Sequence, residues 1–154
     1  VTIDYATEAE LLSGEGSGKH GGRWNPKGIN SVYASDSPET ALAETLAHYR
    51  YYGIPIWNTM PRHFAAVDAS LHNLLNLASG EVRRRIGISR KTMLDCDWRK
   101  EIASGSEPVS QLIGRVCFDL KYEGLIAPSS TSTGGLNLVW FPENLISASF
   151  ARLK

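Results

Sequence analysis

Hydrophobic periodicity changes abruptly near residue 120, and that change narrows the choice of fold more than any other property of the chain. Thr92–Ala103 and Pro108–Leu120 carry helical spacing, with Ser106-Glu107-Pro108 as a cap between them. Beyond them, Gly124–Ala127, Asn137–Phe141 and Leu145–Phe150 are short runs rich in Leu, Ile, Val and aromatic residues. Pro128, the polar Ser129–Thr133 stretch, Gly134-Gly135 and Pro142 separate them, so they read as three closing strands.

The first part of the chain mixes both periods. Val1–Tyr5 and Val32–Ser35 are strand candidates. Ser37-Pro38-Glu39 offers a capping hydroxyl, a proline at the first helical position and an acid in the first turn. A helix is therefore expected from Pro38 to about Tyr51, stopped by Gly53 and Pro55. Phe64–Ala69 reads as a strand, Leu71, Leu74 and Leu75 as a turn, and Glu81–Arg85 as a short basic helix. Short strands at both ends around central helices predict a mixed α+β fold. The 154 residues suit one domain over 1–154, and no repeat of solenoid period divides them.

Sixteen basic and sixteen acidic residues cancel, which argues against a surface built to coat nucleic acid or an acidic membrane. Cys96 and Cys117 lie far apart with no histidine at ligand spacing, so burial as small apolar residues is expected, with no disulfide framework or zinc ribbon. No apolar run approaches the roughly twenty residues of a membrane span, and the first twenty residues lack a signal segment. A reducing cytoplasm is the expected location. The chain starts at Val1 rather than Met, consistent with a short upstream segment.

Several motifs fail on context. Gly16-Ser17-Gly18-Lys19-His20-Gly21 has dinucleotide-fingerprint spacing but lacks the preceding strand and the helix at its end. Glycines 14 to 22 read instead as a stretch of unusual backbone angles open to a ligand. His20, His48, His63 and His72 show no metal-ligand pairing, and no metal site is expected. Arg83, Arg84, Arg85, Arg90 and Lys91 form a basic cluster best read as a solvated face. Trp57, Trp98 and Trp140 are expected in the core or a groove.

One constellation stands apart: Gly21-Gly22-Arg23-Trp24-Asn25-Pro26, Tyr33 on the next strand, the SPETALAE helix with Glu44, and Ala127-Pro128-Ser129 followed by GGLNLVWFP. Helical periodicity puts Leu42, Thr45, Leu46 and Tyr49 on the apolar side of that helix, so pattern alone leaves Glu44 solvated. Together these segments resemble the RES domain, a family named for its arginine, glutamate and serine. The likeness runs from about Leu12 to Phe141.

The resemblance implies a fold similar to ADP-ribosyltransferases. It also implies the toxin of a bacterial toxin-antitoxin pair that degrades NAD by cleaving the nicotinamide-ribose bond, through hydrolysis or phosphorolysis. NAD is then substrate, not cofactor. A protein ADP-ribosyltransferase with the same cleft is the nearest alternative, and a non-catalytic nucleotide- or RNA-binding module using Arg83 to Lys91 is one of another class. The implied partner is a cognate Xre-type helix-turn-helix antitoxin that blocks the cleft, and the resemblance also allows a homodimer within that complex. The family arginine falls on Arg23, the glutamate on Glu44 and the serine on Ser129, with Ser130 adjacent. Tyr33 matches the strand tyrosine.

The residue types suit NAD chemistry. A guanidinium presents a planar fork to pyrophosphate or ribose oxygens, so Arg23 is the expected clamp, assisted by Lys27. The ring of Tyr33 can stack on the cationic nicotinamide. Glu44 can bond a ribose hydroxyl, stabilise the cation that grows on the sugar, and orient the acceptor. Ser129 is expected to hydrogen-bond ribose or carboxamide rather than act as a nucleophile, and Asn137 to contact substrate.

Overall fold

The protein is described by a computed structural model covering residues 7–59 and 64–154. The expected Val1–Tyr5 strand and His63 lie outside the described residues.

Two short helices, α1 (Glu8–Ser13) and α2 (Glu15–His20), precede β1 (Val32–Ser35) and α3 (Pro38–Tyr51). A 3-10 turn at Ile56–Thr59 leads towards β2 (Val67–Ser70) and β3 (Leu74–Asn76). Four helices follow: α4 (Gly80–Arg85), α5 (Arg90–Asp95), α6 (Trp98–Ala103) and α7 (Val109–Asp119). The chain then forms β4 (Gly124–Pro128), β5 (Leu136–Trp140), a 3-10 turn at Pro142–Asn144 and β6 (Phe150–Leu153).

A four-stranded sheet has the order β1-β5-β4-β3, antiparallel except for the parallel β3–β4 pair. β2 and β6 form a separate antiparallel ribbon. The expected α+β class is therefore the one the chain adopts. β2 and β3, however, lie in the middle of the sequence, not at its ends.

The departures from expectation have local causes. Thr7 and Glu10 form a reciprocal capping box that starts α1. Gly16 and Gly18 lie inside α2, and Gly14 and Gly21 flank it with positive φ of 69° and 77°. The glycine stretch thus turns and packs backbone instead of opening a ligand loop. β3 falls where a turn is expected, because three residues carry no period; its parallel pairing to β4 depends on the α7 crossover. The single helix expected over Thr92–Ala103 is two, because the Asp97 side chain accepts from Lys100 N and starts a new helix. The final strand falls at Phe150–Leu153, since Pro142–Asn144 coils and the Ile146 amide is taken by Glu123.

One face of the sheet carries the core. Leu125, Ala127 and Val139 are fully buried there with Trp24, Leu77, Met93 and Phe141. Both cysteines are free and buried, and burial pushes the Cys117 thiol up to about 11. Trp140 is buried, but Trp57 is 78% exposed, contrary to its expected place, because it sits on the 3-10 turn after α3. α7 closes over the Gly22–Pro26 loop: Gln111 Nε2 donates to Gly22 O and Asn25 O at 2.7 and 3.1 Å. A Cβ at Gly114 would overlap the Trp24 carbonyl. Gly114→Ala should therefore cost at least about 1–3 kcal/mol by overpacking. An unchanged thermal midpoint would show that this contact does not matter.

Glu123 is a fully buried carboxylate at the start of β4. It accepts from the amides of His72 and Asn73 at 2.7 and 2.9 Å and from Ile146 at 3.1 Å, tying three chain segments together.

Candidate active site

Continuing along the core face of the sheet, the inward positions become polar at one end. Tyr33 and Ser35 of β1 alternate with residues of the other face, and Ser35 pairs in register with Asn137 of β5. Polar groups at inward positions interrupt the binary pattern that builds a core, which is where a site is expected. A hollow of about 950 Å³ opens beside them, and Arg23, Tyr33, Glu44, Ser35 and Asn137 all line it.

Arg23 projects from the glycine-flanked loop, where its Nη2 donates to Met93 O at 2.7 Å and Leu94 O at 3.2 Å. Those carbonyls lie at the C-terminal end of α5. An unbroken helix would have engaged them, so the break at Asp97 gives Arg23 its seat. Its Nη1 donates to Ser130 Oγ at 3.3 Å. Burial lowers the Arg23 pKa, opposed by the nearby Cys96 and Glu44.

Tyr33 uses its two ends differently. Its hydroxyl donates to Asn25 Oδ1 at 2.6 Å and accepts from Trp24 N at 2.9 Å, while the residue remains 41% exposed at the hollow. Desolvation pushes the phenol well above its ordinary range, against the backbone hydrogen bonds and Arg23, so it stays protonated and the ring is the part that can meet a ligand. Asn25 is fully buried and donates to Ser17 O, Pro26 O and Ile29 O. Asn25 and Gln111 therefore hold the arginine loop and the tyrosine together. The sequence marks Asn25 only as part of the arginine motif and gives no signal for Gln111, because an amide's value lies in which carbonyls it meets.

Glu44 is half-buried, not solvated as its helical position suggested. Its Oε1 accepts from Ser129 Oγ and from Asn137 Nδ2, each at 2.7 Å. Among the described residues Oε2 takes no hydrogen bond, which leaves it for a ligand. Ser129 is 6% exposed and is not part of the wall of the hollow. Its oxygen also accepts from the Thr131 and Ser132 amides, so it serves Glu44 and its own turn. The exposed neighbour Ser130 is the one beside Arg23. The Ser129–Gly135 stretch is a closed turn between β4 and β5, with Ser129 N donating to Gly135 O.

Lys27 is exposed and does not line the hollow, because the chain turns away after Pro26. No group of three metal-ligating side chains occurs among the described residues. The basic cluster is largely engaged: Arg83 donates to Leu77 O and Ala78 O, Arg85 pairs with Glu81, and Lys91 with Asp95. No helix among the described residues is long and apolar enough to cross a membrane.

This fold and this site place the chain in a known class. The model of the RES domain matches residues 2–151, and the chain belongs to that family. It is 25% identical over 133 residues to the NAD(+) phosphorylase MbcT of Mycobacterium bovis, covering 84% of this chain and 65% of that protein. Over 57 residues it is 45% identical to the Prs ADP-ribosylating toxin of Sphingobium sp., covering 36% of this chain and 35% of that protein. The chain thus spans less than two-thirds of the length of these relatives. A chain in the crystal structure of the M. tuberculosis MbcT-MbcA toxin-antitoxin complex superposes with a TM-score of 0.70 at 22% identity, covering 93% of this chain and 74% of that one.

Proposed function

We propose that the protein is the toxin of a toxin-antitoxin pair and consumes NAD by breaking the bond between nicotinamide and ribose. The observation that carries this reading is the convergence of Arg23, Tyr33 and Glu44 on one hollow, with Glu44 held from behind by Ser129 and Asn137. The 25% identity to an NAD(+) phosphorylase supports it.

The C1–N bond breaks with its electron pair passing to the nicotinamide nitrogen, which leaves neutral and needs no acid. Positive charge then grows on the ribose. Glu44 Oε2 faces that charge, and preorganised opposite charge is most effective where water is excluded. The acceptor oxygen bonds to C1: an orthophosphate oxygen arrives already anionic, whereas water must give up a proton, for which Glu44 on the wall serves as base. Arg23, fixed by the α5 carbonyls, offers its remaining donors to the pyrophosphate. The Tyr33 ring stacks on the nicotinamide.

Purified protein incubated with NAD should release nicotinamide. Faster release with added phosphate and formation of a phosphorylated ADP-ribose would indicate phosphorolysis, and free ADP-ribose hydrolysis. Intact NAD after long incubation would sink the reading. The 45% identical segment of an ADP-ribosylating toxin favours a second reading, transfer to a protein, in which label from NAD would appear on an acceptor protein. The partner would be an Xre-type antitoxin covering the hollow, and the site of action the cytoplasm.

A further inference from the structure

We propose that Ser35 is a positioning residue for Glu44, acting through Asn137. The proposal rests on the reading that Glu44 serves NAD cleavage. Ser35 ends β1 directly opposite Asn137 of β5, so the two side chains leave the same face of the sheet side by side. Ser35 Oγ donates to Asn137 Oδ1 at 2.8 Å, and Asn137 Nδ2 donates to Glu44 Oε1 at 2.7 Å. Each end of the amide thus has a protein partner, which gives Asn137 a positioning role.

The relay has one direction. A carboxylate can only accept, so Asn137 must offer it Nδ2, and its oxygen must then find a donor elsewhere. The two ends of an amide are nearly equal in shape and differ in polarity, so the group is held against rotation by its partners. The Ser35 hydroxyl is the partner on the oxygen side. With Ser129 holding Oε1 from the turn, the arrangement keeps one carboxylate oxygen engaged and presents the other to the hollow. Without the hydroxyl, Asn137 can rotate away and Glu44 loses one of its two anchors.

Threonine and valine at position 35 isolate the hydroxyl, since both are β-branched and suit an edge strand. In NAD turnover, Ser35→Val should lower kcat about tenfold, as misplacing a reacting group by a fraction of an ångström does, with KM within about twofold. Ser35→Thr should stay within about twofold of wild type, and Ser35→Val should add no further loss to Asn137→Ala, as members of one relay are not additive. Wild-type kcat in Ser35→Val, fully multiplicative losses, or a rise confined to KM would overturn the proposal. If valine unfolds the edge strand, Ser35→Ala, which adds no atoms, takes its place with the same expectations. The Asn137 side-chain amide resonance, assigned by its loss in Asn137→Ala, needs no substrate. It should move in Ser35→Val and return in Ser35→Thr. Wild-type protein that leaves NAD intact sinks the functional reading alone, whereas an amide resonance unmoved by valine sinks the role of Ser35.

Discussion

Glu44→Gln should lower the kcat for NAD consumption by about 10²–10³-fold, the usual loss when one preorganised electrostatic group is removed from a site where charge develops. Glutamine is nearly isosteric. Its oxygen can still accept from Ser129 and Asn137, whose bonds to Glu44 Oε1 are both 2.7 Å. The fold and the shape of the hollow should therefore survive, with KM little changed, since what is lost is charge felt mainly in the transition state. Steady-state kinetics with a thermal melt checks both halves, and cells expressing the variant should keep their NAD. A folded Glu44→Gln protein with wild-type kcat would remove the carboxylate from the mechanism.

The second large effect concerns stability. Glu123→Ala should cost about 3 kcal/mol or more, because the amides of His72, Asn73 and Ile146 all lose a charged acceptor, a kind of hydrogen bond worth about 1.5–3 kcal/mol each. For a chain of this size that corresponds to a fall of roughly 10 °C in thermal midpoint. Burial raises the Glu123 pKa, but hydrogen bonds from Ser149 and the amides of Asn73, His72 and Ile146 outweigh it and hold the carboxyl at about 2, below the ordinary 4.5. A depressed folded-state pKa means that its stabilisation is complete above the unfolded value and is lost as the group protonates. The advantage of wild type over Glu123→Gln should thus shrink as the pH falls from 4.5 towards about 2. Melts at a series of acid pH values would show it, and a pH-independent gap would mean that the carboxylate charge contributes nothing.

Both predictions depend on single carboxylates whose importance local pattern did not reveal. Helical periodicity placed Glu44 away from the apolar face of α3, a fair reading for a helix whose other side meets water. Here that side meets a sheet end and a turn. Glu123 lies between the end of α7 and β4, and only the return of residues 72, 73 and 146 to that point makes it a buried acceptor. Strand β3 has no local signal for a similar reason, since three residues acquire strand character from the neighbour they pair with.

What the sequence determined by itself is local. The Ser37 cap and Pro38 start α3, the period change near residue 120 ends the helices, and the glycine-flanked arginine loop and polar β4–β5 turn mark where function would be sought. The tertiary structure decided which of those marked residues meet. It brings Ser129 and Asn137, 85 and 93 positions beyond Glu44, onto one carboxylate oxygen, seats Arg23 on carbonyls exposed by a helix break, and leaves Lys27 outside. The physical reason is that caps and periods act over a few residues of backbone, whereas hydrogen-bond partners are selected by packing between segments that share no local signal.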